Sequence, residues 1–361
     1  MGKAVALPTL LELVTVGYKK CQEKLSHALS ERVFLRIYEA YKGQEHRYML
    51  RQGTAAGATA FLQPAVAGLT DNHTAAAGRM KPHIFRMALR NMLGMEPIAG
   101  MHAMIQDGGG CCPSCSTRLD GVLLCPWVVT QHLIGCSSGV FWNRNANAIT
   151  SGVARCFADV GVKGKTEVGG LSATSAHRPG DYLSEPMTGP VEFDAGGSVR
   201  YVVDTTVNYV SPSSMRGYLS GDQRMNATQA EKAKESKIRR EVEQGVRSPL
   251  RAGFTFVPAG ITSRGVLGAG MERLLGMLAE YGAMNRGVLT YLGEDGANVK
   301  TNLIQRWTQR MSVAMHRAAM EAVWFRVMDI ERALKAKDDE QAALTGIEIR
   351  FGGNLGVEGG E

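Results

Sequence analysis

The residues best suited to chemistry form two groups: a compact set of cysteines with a histidine, and then a series of acidic residues. Cys112 and Cys115 are separated by two residues, His132 follows after a longer gap, and Cys136 lies four positions after the histidine. Thiolate sulfur and imidazole nitrogen suit zinc, and four such ligands complete a tetrahedral structural site. The spacing therefore predicts a zinc knuckle.

The other cysteines leave alternatives open. Cys111 and Cys125 are further thiols that could replace one ligand, and the whole set could instead be buried or surface thiols without a metal. Seven cysteines with bunched spacing fit a disulfide framework poorly and fit an intracellular metal site better.

The acidic group centres on Asp204, which interrupts the apolar run 201–207, a predicted buried strand. Burying a lone carboxylate costs several kcal/mol unless a cation or donors compensate. Asp181 begins a second predicted strand, so the two carboxylates could converge, and Glu167 is a third candidate. Mg²⁺ binds hard oxygen ligands, so these positions predict a catalytic magnesium site. The alternative is that each acid is solvated or paired with a cation.

A lysine-bearing helix follows the acids. Thr228 and Glu231 have the spacing of a capping box, which predicts a helix from Thr228 to Gly245. Lys234 and Lys237 share one face of that helix. A lysine there could orient or activate an attacking water, or hold a phosphate.

Apolar periodicity places these residues in a mixed α/β fold with helical regions on both sides. Helices are predicted in 9–50, 83–93, 148–160, 269–281 and 302–335, and strands near 181–183, at 199–210 and at 254–258, the last closed by Pro258.

Composition adds weaker constraints. The 361 residues are 44% apolar and 21% charged, as in soluble globular proteins, and the net charge of +7 favours acidic partners. No stretch approaches the length of a transmembrane helix, and the start lacks a cleavage signal, so we expect a soluble, intracellular protein.

In order along the chain, these motifs resemble the C-terminal part of site-specific non-LTR retrotransposon polyproteins. In that family a helical segment precedes a zinc knuckle, and a restriction-endonuclease-like domain of the PD-(D/E)XK type follows. The matching stretches are Gly57–Pro64, Phe85–Gly94, the four knuckle residues, Arg178-Pro-Gly-Asp181, Val202-Val-Asp204, Ala230–Lys237 and Phe254–Pro258.

The resemblance implies fold, chemistry and location. It makes Asp181 and Asp204 the Mg²⁺ ligands, Lys234 or Lys237 the catalytic lysine, and Glu167 an acidic partner at a helix or strand end. The implied activity is nicking of DNA, with DNA and the element RNA as partners and the nucleus as location. The regions expected are a helical region 1–105, the zinc knuckle 106–138, the nuclease-like domain 139–262, a helical region 263–340 and a flexible tail 341–361.

The chain also departs from the family. An Arg-His-Asn element is replaced by Asn145-Ala-Asn147, with Arg144 one place early, and no polymerase motif is present. Two hypotheses follow: an active endonuclease without its polymerase, or an inactive, zinc-stabilised relic that binds DNA or RNA.

Overall fold

The computed structural model describes residues 59–62, 80–93, 95–119, 126–138, 142–168, 181–187, 198–209, 224–245, 253–285 and 299–352. All of them belong to one compact unit, Gln52–Glu361. The helices predicted in 9–50 and the spare thiol Cys125 lie outside the described residues. None of the described helices is both long and apolar enough to cross a membrane.

A four-stranded mixed sheet forms the centre of the fold. Its strands are β1 (Gly164–Thr166), β2 (Tyr182–Ser184), β3 (Tyr201–Asn208) and β4 (Thr255–Thr262), and their order in the sheet is the order in the chain. The pairs β1–β2 and β2–β3 are antiparallel, whereas β3–β4 is parallel. The parallel pair requires a crossover connection, which a helix supplies.

Seven helices accompany the sheet in the described part of the chain. They are α1 (Pro82–Met92), α2 (Met101–Asp107), α3 (Pro126–Gly135), α4 (Trp142–Asp159), α5 (Arg224–Glu243), α6 (Ala269–Met284) and α7 (Val299–Gly352), with a short 3₁₀ turn at Ala60–Leu62. The predicted mixed α/β class is confirmed. Helix α7 continues to Gly352, and residues 353–361 lie outside the described residues.

Helix α7 supplies much of the core. It packs against α4, α6, α1, α3 and α2, and its apolar face is buried, as its Met- and Ala-rich pattern predicts. Asp159 at the end of α4 accepts hydrogen bonds from Trp307 Nε1 at 2.9 Å and from Arg310 at 2.7 Å. These bonds fix the register between the two helices.

Two local predictions were wrong. Pro258 does not end its strand: β4 runs on to Thr262, with Pro258 paired in register with Asp204. The described sheet ends at β4, and an edge strand tolerates a residue without an N–H donor where the N–H would point away from its neighbour.

The second correction concerns the capping box. Helix α5 begins at Arg224, so Thr228 and Glu231 lie inside it. Their side chains cap another helix instead: Thr228 Oγ1 accepts from Ala269 N at 3.1 Å, and Glu231 accepts from the N–H groups of Gly270 and Met271 at 2.8 and 3.0 Å. The capping pattern satisfies the first turn of α6 rather than that of its own helix.

Candidate functional site

The four residues of the predicted knuckle meet in space. The ligand atoms of Cys112, Cys115, His132 and Cys136 all lie within 4.8 Å of one another. Cys112 Sγ is 3.8 Å from Cys136 Sγ, and Cys115 Sγ is 3.3 Å from His132 Nε2. Four ligands at about 2.0–2.3 Å from one zinc ion leave their atoms roughly 3.5–3.8 Å apart, so this cluster fits a metal such as zinc.

A short hairpin presents the first two thiols. Cys111 pairs with Arg118, Cys112 N donates to Thr117 O at 2.8 Å, and Ser116 N donates to Cys112 O at 2.9 Å. Ser116 adopts a left-handed φ of 57°, which closes the turn. The other two ligands come from the C-terminal turn of α3 and the residue after it, where spacing i, i+4 puts them on one side.

The electrostatics of the thiols favour a bound cation. Burial opposes ionisation of Cys115, but hydrogen bonds with Thr117, Cys136 and Cys112 outweigh it and lower its pKa to about 6. Burial and the neighbouring cysteines raise the pKa of Cys136 to about 11. One thiol therefore ionises readily, and its negative charge opposes ionisation of the next thiol. A bound divalent cation would remove this opposition.

A buried arginine that the sequence analysis missed closes the knuckle. Arg326 of α7 is fully buried and donates to Ser114 Oγ at 3.0 Å, between the first two cysteines. It also donates to the carbonyls of Leu133, of Cys136 at 3.1 Å and of Ser138 at 3.2 Å. These carbonyls end α3, where a cation is favoured by the helix dipole. Arg326 thus holds both halves of the metal cluster.

The predicted acidic residues form a second centre at the middle of the sheet. Asp181 immediately precedes β2, and its Oδ2 accepts from Thr205 N at 2.7 Å and from Thr205 Oγ1 at 2.5 Å. Thr205 follows Asp204 directly in β3, so the N–H that binds Asp181 belongs to the peptide group that joins Asp204 to Thr205. Thr150 of α4 lies 2.9 Å from Thr205 Oγ1, and since that hydroxyl donates to Asp181, Thr150 is the donor. The carboxylate of Asp181 is held from behind by a fixed chain of hydroxyls.

Lys234 of α5 joins this centre. Its Nζ donates to Asp204 Oδ1 at 2.6 Å and to Thr205 O at 2.8 Å. The Asp204 side chain is 17% exposed and that of Lys234 29%, so the pair lies partly out of water. Burial is the main reason why the pKa of Asp204 is raised to about 6; Lys234 and Lys237 oppose the rise, and Asp181 adds to it.

The two other predicted residues contribute less directly. Lys237 acts on Asp204 through its charge, whereas Lys234 contacts the carboxylate. Glu167 follows β1 with a left-handed φ of 54°, and its N–H donates to Asp181 O at 2.8 Å while the residue as a whole is exposed. Of the five predicted catalytic residues, the structure brings Asp181, Asp204 and Lys234 into one bonded set.

Each carboxylate in this set accepts hydrogen bonds on one of its two oxygens. Oδ2 of Asp181 and Oδ1 of Asp204 accept the hydrogen bonds described above, and no donor among the described residues occupies the second oxygen of either group. Each carboxylate therefore has one oxygen that could bind an ion. Two such oxygens would suit Mg²⁺, because that ion keeps most of its waters and takes one or two carboxylates.

The first residue of the Asn145–Asn147 stretch has a structural role. Asn145 is buried, and its Nδ2 donates to Tyr209 Oη at 2.9 Å and to Ile134 O at 3.3 Å. It therefore joins the end of α3, which carries His132, to the end of β3, which carries Asp204.

No family model, no curated protein and no solved structure matches this chain.

Proposed function

We propose that this protein is a metal-dependent endonuclease that nicks DNA, and that it derives from a non-LTR retrotransposon. The observation that carries the proposal is the bonded set of Asp181, Asp204 and Lys234. Two partly buried carboxylates and a lysine at the middle of the sheet are the groups that phosphodiester hydrolysis needs.

The order of elements supports the same proposal. An antiparallel run β1–β2–β3 is followed by α5 and by β4 parallel to β3. The acids stand at β2 and β3, and the lysine on the crossover helix, in the order that the family resemblance implies.

The residues would divide the reaction among them. Water attacks phosphorus, the bond to the 3′ oxygen breaks, and the products are a 3′ hydroxyl and a 5′ phosphate. Asp181 and Asp204 would hold Mg²⁺, which supplies Lewis-acid stabilisation and a more acidic water when bound. Lys234 is placed to orient the attacking water or to neutralise a phosphate oxygen, and Lys237 adds positive charge on the same helix face.

The zinc knuckle and the net charge of +7 extend the proposal to binding. We propose a structural role for zinc at Cys112, Cys115, His132 and Cys136, with DNA, and the element RNA, as partners and the nucleus as the site of action. Lys and Arg contacts to phosphate would provide affinity without fixing the target sequence.

The test is nicking of supercoiled plasmid in the presence of Mg²⁺. Asp204→Ala is expected to lower the nicking rate by about 10²–10³-fold, because a ligand of the catalytic ion is lost. Asp329→Ala, which removes a carboxylate that is 48% exposed on α7, is the matched control and should cut like wild type.

Equal rates for wild type and Asp204→Ala would overturn the endonuclease. If the protein also retained plasmid binding, the result would favour the inactive DNA- or RNA-binding relic, for which the closed zinc cluster is the supporting feature.

A further inference from the structure

A cleft between α1 and α7 lies outside both centres. It has a volume of about 260 Å³ and is lined by His83, Arg86, Met87 and Arg90 of α1, by Ile98 and by Trp324 of α7. None of the residues that line it is acidic. The cleft has an apolar surface, and Arg86 and Arg90 are among the residues that line it, so it suits a flat, apolar group that carries a negative charge at its edge.

Its aromatic wall is formed by Trp324 and His83. Their ring centroids are 5.0 Å apart with planes inclined at 47°, and both residues are partly exposed. An exposed indole offers a face on which any nucleobase can stack, a contact that is common in proteins binding single strands.

Glu96, next to the lining residue Pro97, directs its carboxylate at the start of α2. Glu96 uses its carboxylate on Gly100 N at 3.0 Å, on His102 N at 3.4 Å and on His102 Nδ1 at 3.0 Å. Arg90 Nε donates to the carbonyl of Glu96 at 2.6 Å, which orients the guanidinium, and Arg86 is exposed. An anchored arginine and an exposed arginine beside an aromatic face fit a phosphate attached to a base.

We propose that this cleft binds an unpaired nucleotide of single-stranded nucleic acid, with the base against Trp324 and the phosphate at Arg86 and Arg90. In a duplex each base is paired and stacked, so only an unpaired base can enter a concave site of this size. The proposal rests on nucleic acid being the substrate of the proposed function, and it assigns to the cleft an unpaired nucleotide of that substrate.

The test uses the full-length, zinc-loaded protein without added Mg²⁺ and measures fluorescence anisotropy of a labelled oligothymidylate and of a hairpin duplex. Trp324→Leu should weaken oligothymidylate binding by about fivefold or more, and Trp324→Phe should restore most of it, because stacking needs an aromatic face. Arg86→Ala should reduce the slope of log affinity against log salt by about 0.7, the value for one phosphate of a single strand.

Lys300→Ala is the matched control for charge. It lies on the same helix, 24 residues before Trp324 and thus about 36 Å away along a straight helix, and its side chain is 50% exposed. It should change neither the affinity nor the salt slope.

Three results would each overturn the site: equal effects of Arg86→Ala and Lys300→Ala, Trp324→Leu binding like wild type, or equal loss of duplex and single-strand binding in the Trp324 and Arg86 variants. Displacement of the oligonucleotide by a polyglutamate peptide of equal charge would assign the cleft to an acidic protein segment and overturn it as well. Oligothymidylate binding is measured without Mg²⁺, so wild-type protein that fails to nick plasmid but binds the oligonucleotide through Trp324 and Arg86 would refute the nuclease and leave this site standing.

Discussion

The metal cluster and the acidic centre are built from comparable polar groups but differ in how completely the protein satisfies them. The cluster draws its ligands from a stretch of 25 residues, Cys112–Cys136, and Arg326 closes it from behind. The acidic centre draws Asp181, Asp204 and Lys234 from three separate parts of the chain, and no described residue donates to the second oxygen of either carboxylate. A closed site contributes to folding, whereas a site with uncommitted ligands and a raised pKa is suited to chemistry.

The strongest test of this contrast removes a cluster ligand. Cys112→Ser should abolish stoichiometric zinc binding and lower the free energy of unfolding by about 5 kcal/mol or more, because metal binding at a structural site is part of the folding free energy. Metal content and thermal unfolding measure both effects. Cys111→Ser, the neighbouring thiol outside the cluster, is the control; equal zinc loss in the two variants would mean that the wrong cysteine has been assigned.

The next test concerns the arginine that closes the cluster. Arg326→Ala should lower the free energy of unfolding by about 3 kcal/mol or more, since it leaves several buried carbonyls at the end of α3 without a donor. Urea denaturation of the zinc-loaded protein measures this. Arg332→Ala, whose side chain is 72% exposed, is the control, and coincident urea midpoints for the two variants would contradict a structural role for Arg326.

In the acidic centre, by contrast, a substitution should raise the free energy of unfolding. The folded Asp204 carboxyl has a pKa of about 6, compared with 3.8 when unperturbed. Between these pH values the folded state holds a proton that the unfolded state has lost, so this group makes stability fall as pH rises from about 4 to 6.

Asp204→Asn mimics the protonated carboxyl and should therefore raise the free energy of unfolding by about 2–3 kcal/mol at pH 8 in magnesium-free buffer. The gain should shrink toward zero near pH 4. Urea unfolding at several pH values measures it, and a variant that is less stable than wild type at pH 8 would show that the Lys234 pair outweighs the cost of burying the charge.

The smallest effect is expected at the hydroxyl chain behind Asp181. Thr150→Val should cost about 1 kcal/mol of stability, because one buried hydrogen bond to Thr205 is lost, and Thr150→Ser should restore it. Chemical denaturation of the three proteins resolves this difference. A Val variant as stable as wild type would indicate that Thr205 holds Asp181 unaided.

The sequence predicted those parts of the molecule whose residues lie close together along the chain. The Cys112–Cys136 spacing predicted four ligands that meet in space, which the structure confirms, and the apolar run 201–207 predicted the strand around Asp204. A polar residue inside an apolar run is itself a local signal, because burial there demands compensation.

Long-range contacts could not be predicted in the same way. Arg326 lies more than 180 residues from its acceptors. It interrupts the apolar run 322–328, which signals burial, but no local pattern names the carbonyls that it binds. Thr228 and Glu231 show the same limit: their pattern gave a capping signal, but only the tertiary fold decides that the amides they cap belong to α6. Which of two lysines meets Asp204 likewise depends on how α5 is rotated against β3.

The length of α7 has a further consequence. Arg310 is bound to the end of α4, and Arg326, 16 residues later on the same helix, is bound to the knuckle. At 1.5 Å per residue these two anchor points are about 24 Å apart. Helix α7 therefore acts as a strut within the protein, because it fixes the distance between the end of α4 and the knuckle.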